Sequence, residues 1–161
     1  MKKSLPPAVN IDDQAGHFIR RMQQIAVAIF LQETQVHGVT PVQYAALQTV
    51  QNSPGMDQRT LARTIGLDTS IVAGVIDRLE ARGLLLRNAS PDDRRVRQLS
   101  LTDEAHVLLR DVLPSVLKAS ALTLEPLSQD DRHEFMRLLR LLVTENNGLS
   151  RAPRDLGLRS D

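Results

Sequence analysis

The sequence predicts a mainly α-helical fold interrupted once by a small β-hairpin. Three observations carry that expectation. Apolar residues recur at helical spacing in several segments, most of them opened by a capping residue. Only Leu84 to Arg87 and Val96 to Leu101 read as strands, and the "NASPDD" between them is turn chemistry throughout. There is no cysteine, so neither a disulfide framework nor a thiolate metal site competes with a packed helical core.

At 161 residues the chain has the size of one compact domain, and 42% apolar residues suffice for a core. The lead-in contains Pro6-Pro7. From Ile11 to about Thr34, residues Phe18, Met22, Ile25 and Ile29 fall at i, i+4, i+7 and i+11, one apolar stripe of a helix that Gly38 ends. "TPVQYAALQTV" opens the next helix, with Thr40 as N-cap, Pro41 at the first helical position and Gln43 completing a capping box. Ser53-Pro54-Gly55 closes it.

In "MDQRTLARTIGLDTSIVAGVIDRLEARGLL", Asp57 caps a short helix that turns Leu61 and Ile65 inward and closes at Gly66. Asp68 caps a second, whose apolar face takes Ile71 or Val72, Val75 or Ile76, and Leu79 until Gly83 ends it. Two short helices joined by a tight turn make a helix-turn-helix. The hairpin that follows at once makes it a winged helix-turn-helix. In its second strand Val96, Gln98 and Ser100 alternate with Arg97, Leu99 and Leu101.

Thr102 then caps a long helix through "DEAHVLLRDVLPSVLKASALTL", in which Pro114 predicts a kink. Ser128, with Asp131 three residues on, opens the last helix and sets Phe135, Leu138, Leu139 and Leu142 on one stripe. The expected organisation is a single domain over 1–161: a winged helix-turn-helix at 40–102, dimerisation helices at 11–36 and 103–146, and flexible ends at 1–10 and 147–161. The terminal helices are more apolar than a lone winged helix requires, which predicts a homodimer.

Net charge is +1, but residues 59–97 carry eight basic side chains, all arginine, against five acidic ones. Arginine suits bidentate contact with phosphate and guanine. Arg94, Arg95 and Arg97 in the hairpin, with Arg59 and Arg78 in the two short helices, are therefore candidate DNA contacts. Asp92 and Asp93 are poor phosphate contacts and are expected to orient an arginine. A solvated hairpin of mixed charge is the bland alternative; its place directly after two capped helices favours DNA.

Other chemistry is excluded. No apolar run approaches the ~20 residues of a bilayer crossing, and no signal peptide is recognisable, so a cytoplasmic protein without a membrane partner is expected. His37, His106 and His133 fall on separate elements without metal-ligand spacing. No phosphate loop or nucleophile elbow is present, so neither an enzyme nor a cofactor is expected.

The run from Thr40 to Ala105, and within it "DRLEARGL", the D-x-R of the hairpin and the "LT" after it, resembles the MarR family of bacterial transcriptional regulators. The resemblance implies a homodimer on a pseudo-palindromic double-stranded operator, with one recognition helix per half-site and half-sites about one turn (~10 bp) apart. It implies that Arg95 is the wing-tip cation in the minor groove and Asp93 its orienting partner. Many relatives carry Ser-Thr-Val-Thr-Arg where this chain has Ser70-Ile71-Val72-Ala73-Gly74. Base contacts are accordingly expected from Thr69 and Ser70, with Ala73 against a thymine methyl and Gly74 permitting close backbone approach. Phosphate contacts and DNA shape are expected to supply much of the affinity. The runner-up is a winged-helix protein-interaction module without specific DNA binding.

His17, Arg20, Arg21 and Gln24 lie at i, i+3, i+4 and i+7, a cationic stripe beside the apolar one. A solvated face is the ordinary reading of such a stripe. In the family that the chain resembles, however, effectors bind between the dimer helices and the winged helix and are often aromatic acids or phenols. "GHFIRRMQQI" is similar to regulators of aromatic and nicotinic acid catabolism. The resemblance thus implies a repressor released by a hydroxylated benzoate or nicotinate, its carboxylate on arginine and its ring covered by Phe18 and Met22; Tyr44 on the second helix either closes the same cleft or belongs to the core. Without cysteine, peroxide sensing by thiol oxidation is excluded.

Overall fold

The computed structural model describes residues 10–91 and 95–150. Six α-helices and one hairpin follow in the expected order. A 3-10 turn at Ile11–Asp13, capped by the Asn10 side chain, precedes α1 (Ala15–Glu33), so the first helix starts four residues later than its periodicity suggests. Helix α2 (Pro41–Asn52) carries the full capping box: Gln43 N–H donates to Thr40 Oγ1 at 3.2 Å and Thr40 N–H to Gln43 Oε1 at 3.1 Å.

Helices α3 (Gln58–Ile65) and α4 (Thr69–Ala81) form the helix-turn-helix. Asp57 caps α3 by accepting the Thr60 N–H at 2.6 Å, and Asp68 caps α4 by accepting that of Ser70 at 3.0 Å. The turn between them depends on Gly66, whose φ of 68° lies in the left-handed region that a side chain disfavours. Leu67 N–H then donates back to Ala62 O at 3.0 Å, closing the end of α3.

The hairpin pairs β1 (Leu85–Ala89) with β2 (Arg97–Leu101) antiparallel, with Leu85 opposite Leu101 and Ala89 opposite Arg97. Its first strand runs two residues beyond the Arg87 expected from the sequence. Leu99 is buried and Arg97 exposed, though both point to one face, because the strand leaves the body of the domain as it approaches the tip. The other edge of β2 is also occupied: Leu99 N–H donates to Met56 O at 2.8 Å and Gly55 N–H to Leu99 O at 3.0 Å. The wing is thereby fixed to the start of α3.

Thr102 caps α5 (Asp103–Thr123), which continues through Pro114, and Ser128 caps α6 (Gln129–Glu145) with the expected partner Asp131. A 3-10 turn at Asn147–Leu149 lies inside the stretch expected to be a flexible end. The core sits within the winged helix and the start of α5, around Leu47, Leu61, Ile76, Leu79, Leu85 and Leu99. By contrast α1 and α6 contain no buried residue. Phe18 (53% exposed) and Leu142 (52%) sit on stripes that the periodicity marks as buried.

Candidate DNA-binding face and effector cleft

Helix α4 settles its own phase: Val72, Val75, Ile76 and Leu79 are buried, so Ser70, Gly74 and Asp77 lie on the outer face. Thr69 and Ser70 are exposed in the first turn, where Asp68 accepts both the N–H and the hydroxyl of Ser70. Ala73 is half-buried at one flank of this face. The apolar side chain that stands out instead is Ile71, 53% exposed, which the sequence reading had left as an alternative for the core.

The arginines divide into two groups. Arg82 donates to Gly38 O at 2.7 Å and ties the end of α4 to the loop before α2. Arg87 on β1 holds both acids of α4, pairing with Asp77 and with Glu80 Oε2 at 3.0 Å. These two are structural. Arg59, Arg78 and Arg97 are exposed, and none forms an ion pair among the described residues. Arg95 is exposed at the wing tip. Asp93 and Arg94 lie outside the described residues. The Asp57 carboxyl is held below the usual carboxylate range, chiefly by the backbone N–H of Thr60.

A second feature is a cleft of about 830 Å³ between α1, α5 and α6, reaching Pro41 at the start of α2. Its walls are apolar, among them Phe18, Met22, Val116, Phe135 and Leu139, and Arg21 is the single charged side chain on them. His17, Arg20, Gln24 and Tyr44 do not line it. His17 lies 4.0 Å from Asp12, and Arg20 donates to Gln24 Oε1 at 3.4 Å. Tyr44 packs beside Phe30 with ring centroids 6.1 Å apart, donates to Gln48, and burial pushes its phenol pKa up.

Sequence inspection missed the Arg87 pairing and the contribution of α5 and α6 to the cleft. The first was signalled by acids at i and i+3 on the outer face of α4. The second had only the α6 stripe as a signal, since nothing local says which helix a stripe will face.

A capped helix-turn-helix, a hairpin fixed to it, and exposed arginines on α3, α4 and β2 that form no ion pair among the described residues define a winged-helix DNA-binding regulator. The MarR family profile matches residues 39–96. The putative regulatory protein for the hcr operon of Thauera aromatica is 32% identical, over 83% of this chain and 81% of that one. The transcriptional repressor NicR of Pseudomonas putida is 28% identical over 91% of this chain and 99% of its own. Bordetella bronchiseptica BpsR, whose DNA binding is regulated by 6-hydroxynicotinic acid, superposes with a TM-score of 0.80 at 29% identity, covering 84% of this chain and 97% of BpsR. The chain belongs to the MarR family and is a DNA-binding transcriptional regulator. Regulators of this family bind operators as dimers and respond to small-molecule effectors. Among the described residues no helix is long and apolar enough to cross a membrane.

Proposed function

We propose that the protein is a cytoplasmic homodimeric repressor, without catalytic activity, whose hold on its operator is released by a small aromatic acid. Residues 40–102 read DNA, and the helices within 11–36 and 103–146 join the subunits. Arg95 enters the minor groove, oriented by Asp93, while Arg94, Arg97 and Arg59 neutralise phosphates and Thr69 and Ser70 contact the major groove. Ala73, at the flank of α4, adds at most a peripheral apolar contact.

The observation that carries the effector reading is the single cation on an apolar cleft: Arg21 stands beside Phe18 and Met22 with no ion pair among the described residues. A planar anion fits that chemistry, its carboxylate on the guanidinium and its ring against the apolar walls. The likeness to BpsR, whose DNA binding is regulated by 6-hydroxynicotinic acid, supports a hydroxylated nicotinate; a hydroxylated benzoate offers the same carboxylate and planar ring. Because the cleft lies between α1, α5 and α6, a bound acid favours the dimer geometry that holds it best. It weakens DNA binding by its differential affinity for the two geometries and by no more.

The test is release of a fluorescent operator duplex by 6-hydroxynicotinic, nicotinic and 4-hydroxybenzoic acids, followed by anisotropy. Arg21→Ala is expected to need at least about tenfold more acid, as for loss of a charge-assisted hydrogen bond. Arg20→Ala is expected to respond like the wild type. An unchanged response in Arg21→Ala removes this cleft as the effector site.

A further inference from the structure

Gly74 occupies the interior of α4, where glycine is about 1 kcal/mol worse than alanine. Its φ is not positive, so no turn or left-handed geometry demands it. A Cβ at position 74 would lie 3.5 Å from Nη1 and 4.0 Å from Nη2 of Arg78, ordinary van der Waals contact, so the Arg78 side chain runs back along the helix over position 74, where a longer side chain would meet its guanidinium.

Ile71 stands on the same side one turn earlier, 53% exposed, on a helix that buries its other large apolar side chains. Asp77 and Glu80, the two acids of α4, are held by Arg87. The Arg78 guanidinium is therefore aimed along the outer face of α4, uncommitted among the described residues, with a branched apolar group beside it.

We propose that Arg78 and Ile71 are the specificity-determining residues of the recognition helix. Arg78, laid over Gly74, makes the bidentate contact to O6 and N7 of a guanine, and Ile71 packs against the C5 methyl of a thymine. The inference deepens the regulator reading and rests on it. With a rise of about 1.5 Å per residue, Ile71 and the level of Gly74 are about 4.5 Å apart along the axis. Base pairs are spaced by ~3.4 Å, so the two bases are adjacent or one pair apart.

The experiment is selection of bound sites from a randomised duplex pool by the full-length wild type, Arg78→Met, Ile71→Ala and Gly74→Leu. Wild type is expected to select a guanine with a thymine within two base pairs of it in each half-site. Arg78→Met keeps the length of the side chain and removes every donor, and is expected to lose preference at that guanine while keeping the rest of the site. Gly74→Leu, whose side chain meets the guanidinium, is expected to lose the same preference. In the selected duplex, 7-deazaguanine at that position is expected to weaken wild-type binding about tenfold and Arg78→Met little. Deoxyuridine for the thymine is expected to weaken wild type but not Ile71→Ala. Selection of the same guanine by Arg78→Met overturns the proposal and leaves the regulator reading standing. Selection of no sequence by wild type overturns both.

Discussion

The Asp57 side chain caps α3, directly after the backbone of Gly55 and Met56 that holds the edge of β2. Asp57→Ala is expected to cost about 1 kcal/mol, the usual loss of an N-cap. The sign of the pH dependence follows from the depressed folded pKa. The carboxylate's contribution is fully present above the unfolded value of about 4, and is lost as pH falls through the folded one. Asp57→Asn keeps an acceptor and removes that titration, so urea midpoints of wild type and Asp57→Asn should converge as pH falls from 7 to 3. A constant gap contradicts the assignment. This cap was legible in the sequence because Asp57 is local to the helix it starts. The phase of α4 was only partly legible: the sequence left Ile71 or Val72 and Val75 or Ile76 open, and the structure buries Val72, Val75 and Ile76 with Leu79 and exposes Ile71. The path of Arg78 over Gly74 was not legible, since it depends on a rotamer.

The wing and the recognition helix behave as one element because Arg87 joins β1 to two acids of α4. As an exposed cluster its contribution to stability is small, about 0–1 kcal/mol. Its larger role is electrostatic, since it neutralises two carboxylates on the helix nearest a polyanion. Arg87→Ala is therefore expected to weaken operator binding several-fold without unfolding the protein. Adding Asp77→Asn should restore part of the loss, measured by anisotropy in a double-mutant cycle. Equal losses with and without Asp77→Asn would assign Arg87 a direct phosphate contact instead. Sequence reading recognised helix, turn, helix and hairpin from caps and alternation, and named Arg59, Arg78, Arg94, Arg95 and Arg97 as potential DNA contacts without assigning Arg82 and Arg87 a role. The structural roles of Arg82 and Arg87 were not legible, because their partners lie on other elements.

At the scale of the molecule, two long helices without a buried residue are the feature a single protomer does not explain. Covering Phe18, Ile25, Leu138 and Leu142 is worth about 1.5–3 kcal/mol for each side chain fully buried, and a second copy does so in the proposed dimer. Ile25→Glu, a change on the cleft wall away from the winged-helix core, is expected to shift sedimentation from dimer to monomer while the far-UV circular dichroism stays helical. A dimer that persists would place the interface elsewhere. The sequence signalled an excess of apolar helix, but not that Arg21 alone of the cationic stripe would border the cleft, because that depends on how α1 rolls against α5 and α6. The central claim, an operator-binding repressor released by an aromatic acid, is tested most directly by one titration. The full-length protein is titrated onto duplex from upstream of its own gene and onto scrambled duplex across a salt series, with and without the acid panel, while anisotropy is followed. The account predicts preferential binding to the upstream duplex, weakening steeply with salt as phosphate contacts require and released by one of the acids. Equal, weak binding to both duplexes with no response to any acid would contradict it.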